Sequence, residues 1–350
     1  MIQSYFRKNK NENKIMIDSS QRQFNLCLIL KLDKTWINKI LILIIFYSFN
    51  VNIFSRDVYL FSYFKNNGED GLHLAYSYNG RQWYPLNNDS SFLIPQVGSK
   101  LMRDPSLFLA KDGTFHLVWT TGWWDKGFGY SSSKDLINWS EQKFIPVMSH
   151  EPEAKNTWAP EIFFDNKSKK YIICWSTYIP GRFPATDSTG HVMSSDPLKR
   201  KMSHRIYAVT TKDFKVFSPT RLFYEPGFNV IDAAIIQKGR KYIMFCKDET
   251  LTPPQKNIRI AYADKAEGPY SKASDPITGK YWAEGPSPIF IGDTCFVYFD
   301  KYRDKKYGAV ISTDLKNWKD ISDELVFPSG IRHGTVLKVP ENILLKLLIK

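Results

Sequence analysis

Glu284-Gly-Pro-Ser-Pro-Ile-Phe290 opens a unit that continues through Thr294-Cys-Phe-Val-Tyr-Phe299, Tyr307-Gly-Ala-Val-Ile-Ser312 and Asp314-Leu-Lys-Asn-Trp-Lys319. Short β-branched and aromatic runs between turn residues read as strands. Glu284 is the odd member. A carboxylate at the head of an apolar run is costly unless it is paired or used. The same order of pieces recurs upstream. Asp104-Pro-Ser-Leu-Phe-Leu-Ala110 leads to Thr114-Phe-His-Leu-Val-Trp-Thr120, Phe128-Gly-Tyr-Ser-Ser-Ser133 and Asp135-Leu-Ile-Asn-Trp-Ser140. Glu161-Ile-Phe-Phe164 leads to Lys170-Tyr-Ile-Ile-Cys-Trp-Ser176, Arg205-Ile-Tyr-Ala-Val-Thr210 and Asp213-Phe-Lys-Val-Phe-Ser218. Asp232-Ala-Ala-Ile-Ile236 leads to Lys241-Tyr-Ile-Met-Phe-Cys246, Ile258-Arg-Ile-Ala-Tyr-Ala263 and Gly268-Pro-Tyr-Ser271.

Each unit is therefore expected to be four short strands with an acid at the head of the first. The units start 57, 71 and 52 residues apart, and four-stranded repeats of this size are the mark of a β-propeller. The chain ends set the blade count. Val58-Tyr-Leu-Phe-Ser-Tyr-Phe64, Leu72-His-Leu-Ala-Tyr-Ser77 and Arg81-Gln-Trp-Tyr84 match the second, third and fourth strands of a unit, with no first strand before them. His333-Gly-Thr-Val-Leu-Lys-Val339 matches a first strand with nothing after it. Together the fragments make one blade, which also covers exposed sheet edges. The expectation is an all-β, five-bladed propeller over residues 57–340, closed by pairing the C-terminal strand with the N-terminal blade. Residues 341–350 are left as a tail, either a short helix or frayed.

In a propeller the first strand of each blade is innermost, so its entry residue faces the central channel. Those residues are Asp104, Glu161, Asp232, Glu284 and His333. Each taken alone is ordinary turn chemistry. Taken as a ring they carry a function, because crowded carboxylates repel and their pKa values spread apart. That spread suits acid–base work, with one group protonated and another ionised. The loops on the same face carry Trp123 and Trp124, and those before the first strands carry Trp158, Phe228 and Trp282. Aromatic platforms beside carboxylates suit a sugar, with its apolar C–H faces and many hydroxyls. Arg103 and Arg332 flank ring members and are placed to bind hydroxyls or to hold carboxylates ionised.

The composition agrees with a large folded core: 43% hydrophobic and 15% aromatic over 350 residues. The net charge is +13, but residues 1–56 hold nine Lys/Arg against three Asp/Glu, and the remaining positive charge is scattered. This is a solvated basic surface and excludes a nucleic-acid footprint. Lys39-Ile-Leu-Ile-Leu-Ile-Ile-Phe46 opens an apolar stretch too short for a comfortable membrane span, with Lys31 and Lys34 upstream. Residues 1–56 read as a leader, a signal peptide or anchor, with Met16 available as a later start, so the protein is expected to be exported. The other reading is a buried first strand. Cys174, Cys246 and Cys295 lie in apolar strand-like runs and are expected to be free and buried. Cys27 lies in the leader. No CxxC or Cys/His cluster suggests zinc.

Arg103-Asp-Pro-Ser106, Trp158-Ala-Pro-Glu161, Val230-Ile-Asp-Ala233, Glu284-Gly-Pro286 and Arg332-His-Gly334, one per blade and in that order, resemble glycoside hydrolase family 43. The likeness spans roughly residues 58 to 339. It implies a glycosidase acting on arabinose-, xylose- or galactose-containing plant glycans, of α-L-arabinofuranosidase or β-xylosidase type. It implies Asp104 as general base, Glu284 as general acid, and Asp232 as the carboxylate that tunes and orients the acid. It implies inversion, which needs the base and acid roughly 6.5–9.5 Å apart. Substrate contacts would come from Arg103, Trp123, Trp124, Trp158, Glu161, Phe228, Trp282, Arg332 and His333. No cofactor is required, and His333 matches an axial histidine that in relatives lies near a water or a calcium ion. The partner would be an oligo- or polysaccharide, bound by a monomer.

Two other readings stand beside this one. A family 32-like fructan hydrolase also uses Arg-Asp-Pro, with Glu161 as its acid. That retaining mechanism needs an Asn-Asp-Pro nucleophile one blade earlier, where this chain has Arg332-His-Gly334. A non-catalytic glycan-binding propeller is the second, and the presence of all three carboxylates argues against it.

Overall fold

The computed structural model describes residues 57–187 and 202–349. The leader, its apolar stretch and Cys27 lie outside them. Among the described residues nineteen strands form five sheets. The first sheet runs β19 (Arg332–Pro340), β1 (Asp57–Phe64), β2 (His73–Ser77), β3 (Tyr84–Pro85). The second runs β4 (Arg103–Leu109) to β7 (Lys143–Ile145) through β5 (Phe115–Thr120) and β6 (Phe128–Ser133). The third holds β8 (Trp158–Asp165), β9 (Lys170–Tyr178), β10 (His204–Thr211) and β11 (Arg221–Tyr224). The fourth holds β12 (Val230–Lys238), β13 (Lys241–Asp248) and β14 (Asn257–Ala263). The fifth holds β15 (Glu284–Ile291), β16 (Thr294–Lys301), β17 (Lys306–Ser312) and β18 (Lys319–Asp320). The innermost strands touch in a closed ring, β19–β4–β8–β12–β15–β19. The fold is a five-bladed β-propeller.

The second strand of each blade explains the architecture. Its two faces look into two different cores, so the run is apolar throughout. On β1, Val58 and Leu60 join Leu117 and Trp119 of the second blade, while Tyr59, Phe61 and Tyr63 join Tyr298 of the fifth. On β9, Tyr171, Ile173 and Trp175 face the second blade, and Ile172 and Cys174 face the fourth. On β13, Met244 and Cys246 face one way and Ile243 and Phe245 the other. Side chains alternate across a strand with period two, so five such strands build five inter-blade cores. Cys174, Cys246 and Cys295 are free and buried in them.

The C-terminal strand pairs antiparallel with β1, from Asp57 opposite Pro340 to Phe64 opposite Arg332. It supplies the inner wall of the first blade. The helix α1 (Glu341–Leu348) follows and buries Leu344 and Leu347 against the core between the first two blades.

A repeated turn joins the third strand of a blade to its fourth. Asp135 Oδ1 accepts the N–H groups of Ile137 and Asn138 at 2.9 and 2.7 Å. Asp314 does the same for Lys316 and Asn317, Asp213 for Lys215 and Val216, and Asn79 for Arg81 and Gln82. The next residue takes a left-handed φ in each: Leu136 at 63°, Leu315 at 61°, Phe214 at 57° and Gly80 at 71°. Such side-chain turns compete well with regular pairing. The fourth blade departs from the expected four strands. It has no such Ser/Thr-x-Asp/Asn turn, and Gly268-Pro-Tyr-Ser271 forms no strand. Its outer edge is instead an irregular run held by Ser271, Ser274 and Ile277 N–H bonds to β14 carbonyls.

Candidate active site

Each innermost strand enters through the same β-bulge. Arg103 pairs with Thr120, but the next pair is Ser106 with Val118, so three residues of β4 span two of β5. The pattern repeats as Trp158/Glu161 on β8, Ile231/Ala234 on β12, Glu284/Ser287 on β15 and Arg332/Thr335 on β19. Bulges re-aim side chains. Four of the five have a left-handed residue just inside: Asp104 at 50°, Ala159 at 49°, Asp232 at 54° and Gly285 at 62°.

This register corrects the expectation of five equivalent ring members. The channel has three tiers. Arg103, Trp158, Ile231, Glu284 and Arg332 form the outer one. Asp104, Ala159, Asp232, Gly285 and His333 form the middle one. Ser106, Glu161, Ala234, Ser287 and Thr335 form the inner one. A cleft of about 230 Å³ opens over them and is lined by all five outer residues and by Asp104, Asp232 and His333, with Thr120, Trp123, Lys247, Glu249 and Tyr302. Glu161 does not line it. It lies a tier deeper, accepting a bond from Thr335 Oγ1 at 3.1 Å.

The middle tier is a hydrogen-bonded set. His333 Nδ1 faces Asp104 Oδ1 at 3.3 Å, and Thr120 Oγ1 donates to Asp104 Oδ2 at 2.8 Å. The Gly285 N–H donates to Asp232 Oδ2 at 3.0 Å. Glu284 stands above, with Lys247 Nζ 3.0 Å from Oε2 and Arg332 3.3 Å from Oε1. Each of these cations has a further acid. Lys247 reaches Glu249 at 2.6 Å, and Arg332 reaches Asp300 at 2.6 Å.

The aromatic wall is built by Trp123 and Trp158, whose rings meet edge to face at 5.8 Å. Trp158 Nε1 donates to the Trp123 carbonyl at 2.8 Å. The Arg103 guanidinium lies over Trp123 and over Phe64, and donates to Asn67 Oδ1 at 3.1 Å.

With this geometry in view, residues 56–343 match the family described as "Probable glycosyl hydrolase domain", a relative of glycoside hydrolase family 43. The chain belongs to this family-43-related group. An α-L-arabinofuranosidase of Bifidobacterium longum subsp. longum is 21% identical over 330 residues, covering 74% of this chain. The chain spans only 30% of that relative's length. A thermostable family-43 glycoside hydrolase of known structure is 17% identical, with a TM-score of 0.50 over 66% of this chain and 78% of its own. An α-L-arabinofuranosidase from Lactobacillus brevis superposes with a TM-score of 0.46 at 16% identity, over 63% of this chain and 72% of its own.

The electrostatics of this family-43-related cleft sort the acids. Burial pushes the Asp104 carboxyl up, but the His333 hydrogen bond and charge, Arg103 and Thr120 outweigh it and hold it at about 2. Burial pushes Asp232 up to about 6, with Glu284 and Asp104 adding to the shift against the pull of His333 and Lys247. Burial likewise raises Glu161 to about 7. His333 is pulled down by burial but raised on balance to about 9, chiefly by Asp104, then Asp232 and Glu284. The site thus holds carboxyls of widely separated proton affinity, which is the arrangement acid–base catalysis uses.

The structure brings together eight of the expected site residues: Arg103, Asp104, Trp123, Trp158, Asp232, Glu284, Arg332 and His333. Four expected contacts lie outside the cleft lining. Trp124 is exposed and tilts against Trp158 at 6.3 Å. Phe228 packs on the core between the third and fourth blades, beneath Arg259. Trp282 is covered by the Arg303 guanidinium at 3.6 Å. Glu161 is the fourth. Lys247, Glu249, Tyr302 and Thr120 also line the cleft; the sequence places them in the loops around the ring but gives them no role in the site. Among the described residues, no group of three or more His, Cys, Asp or Glu side chains is placed to hold a metal ion. A calcium ion near His333 therefore enters no step below.

Proposed function

We propose that this chain is a glycosidase that hydrolyses arabinose-, xylose- or galactose-containing plant glycans with inversion of configuration. One observation carries this reading: Asp104, Asp232 and Glu284 come from three blades onto one cleft beside the Trp123–Trp158 wall. The strand β19 stands between those bearing Asp104 and Glu284 in the inner ring. On this reading the intervening strand keeps base and acid far enough apart to admit a water between them, as inversion requires.

In this mechanism Asp104, ionised at all ordinary pH, takes a proton from the attacking water. Thr120 and His333 fix its two oxygens. Water adds to the anomeric carbon on that side, and Glu284 gives a proton to the departing glycosidic oxygen on the other. Asp232 holds the backbone N–H of Gly285 and so fixes the residue next to the acid. Trp123 and Trp158 offer a face to the sugar ring. An L-arabinofuranoside is the first substrate to try, given the name of the Bifidobacterium relative.

The retaining, family 32-like alternative would make Glu161 the acid. Its place in the inner tier, bonded to Thr335 and off the cleft lining, favours Glu284 instead. Screening purified protein on aryl α-L-arabinofuranosides, β-xylosides and galactosides, then following the anomeric proton by NMR, tests the reading. A first product of inverted configuration is expected. A retained first product would return Glu161 to consideration, and no turnover on any glycan would leave a binding propeller. Export is proposed on the leader's Lys39-to-Phe46 pattern alone, and N-terminal sequencing of native protein tests it.

A further inference from the structure

Glu284 is gripped by two cations, and the one from the neighbouring blade is unusual. Lys247 is the penultimate residue of β13, is 1% exposed, and sits directly opposite Ile231 of the outer tier. Its ammonium lies 3.0 Å from Glu284 Oε2, 2.6 Å from Glu249 Oε2 and 4.7 Å from the centre of the Tyr302 ring. Glu249 is itself held by the buried Lys256, whose ammonium also donates to the Glu249 carbonyl at 2.9 Å. A long cationic side chain is rarely enclosed this way unless it is paired and used. On its other side Glu284 meets Arg332, which is balanced by the buried Asp300.

A general acid must hold a proton, yet two cations within hydrogen-bond reach favour its ionised form. The structure contains the counterweight. Glu249, shared between Lys247 and Lys256, partly offsets Lys247, and Asp300 offsets Arg332, so each cation that orients Glu284 also has a second carboxylate to hold. Asp232 and His333 face the same carboxyl from the middle tier. We propose that Lys247 and Glu249 act as one positioning pair for Glu284, in which Lys247 fixes the carboxyl and Glu249 keeps Lys247 from stripping its proton.

The inference rests on the glycosidase reading, and its test separates the two. The alkaline limb of kcat/KM on the best aryl glycoside is to be compared in wild type, Lys247→Met and Glu249→Gln, with thermal melting as a check on folding. Lys247→Met removes a positive charge, so the limb should move up by about one pH unit. Its kcat should fall about tenfold or more, since the carboxyl is no longer held. Glu249→Gln keeps the shape but leaves Lys247 unbalanced, so the limb should move down by a similar amount. Opposite displacements are what a merely structural role does not produce. Limbs unmoved in both variants, or moved in the same direction, overturn the inference while an active wild type preserves the glycosidase reading. An inactive wild type removes both. If Lys247→Met does not fold, Glu249→Gln decides alone: a lower limb supports the pair, and an unmoved one refutes it.

Discussion

His333 Nδ1 lies 3.3 Å from Asp104 Oδ1, so the proposed base is paired with an imidazole delivered by the last strand of the propeller. The pair has a measurable signature in stability. His333 is raised from its ordinary 6.5 to about 9, so its contribution is fully present below pH 6.5 and is lost as pH rises through 9. Asp104 is lowered to about 2, so its contribution is present above pH 3.8 and is lost as pH falls through 2. Asp232 runs the opposite way to Asp104. Raised from 3.8 to about 6, it weakens the fold as pH climbs across that interval. Urea unfolding at pH 6.5 and 9.5 should show a loss in wild type, and His333→Gln should be less stable at pH 6.5 with a smaller loss on going to 9.5. An equal pH-dependent loss in the variant would show that His333 is not the group responsible.

Gly285 should tolerate no side chain. It combines a φ of 62° with a position where a Cβ would lie 2.4 Å from the His333 ring. Gly285→Ala should cost about 1–3 kcal/mol in left-handed strain and overpacking. It should also lose most activity by displacing His333 from Asp104. Gly292→Ala is the control, because it has a similar φ of 59° and nothing within 4 Å. Melting temperature and kcat measured on both variants separate backbone strain from the clash.

The acid and the base should be distinguishable by leaving group. Glu284→Gln should abolish hydrolysis of natural linkages yet keep relatively more activity on aryl glycosides whose phenolate departs unprotonated. Asp104→Asn should lose about 10²-fold or more on both classes, because water activation is needed for each. Equal losses for Glu284→Gln on the two kinds of substrate would count against its role as acid.

The aromatic wall should show up in KM. Trp158→Ala removes a ring that lines the cleft and should raise KM about tenfold, in keeping with the loss of a base–aromatic-scale stacking contact of about 1–3 kcal/mol. Trp124→Ala and Trp282→Ala should leave KM within about twofold. A large effect at Trp282 would place substrate beyond the cleft described above.

How far the sequence spoke depended on whether a signal lay in one strand or in the pairing of two. The blades were readable because the second strand of each, such as Val58–Phe64 or Lys241–Cys246, is apolar on both faces, and only a strand between two cores needs that. The closing strand was readable as an orphan first strand. The three tiers were not, since a bulge is a property of register. A cue was nonetheless present: Pro105, Pro160 and Pro286 follow equivalent residues. Aligning on them sets Asp104 beside Ala159 and Gly285, with Glu161 deeper and Glu284 shallower. The missing fourth strand near Gly268 could have been foreseen from the absent Ser/Thr-x-Asp/Asn turn. Lys247 and Asp300 open loops that the sequence places around the ring, but their roles were not legible, because which carboxylate or guanidinium each one meets is set by pairing between blades.

The pairing of β19 with β1 joins the two ends of the propeller fold inside one sheet. Arg332 and His333 are therefore among the last site residues to leave the ribosome, while Asp104, Asp232 and Glu284 emerge earlier. Until that strand docks, Asp104 lacks its imidazole, Glu284 lacks one of its two cations, and the inner ring is open. Under the proposed reading turnover would thus begin only once β19 has been made and has docked on β1, and a chain cut just before Arg332 would carry all three proposed catalytic carboxyls without a working site.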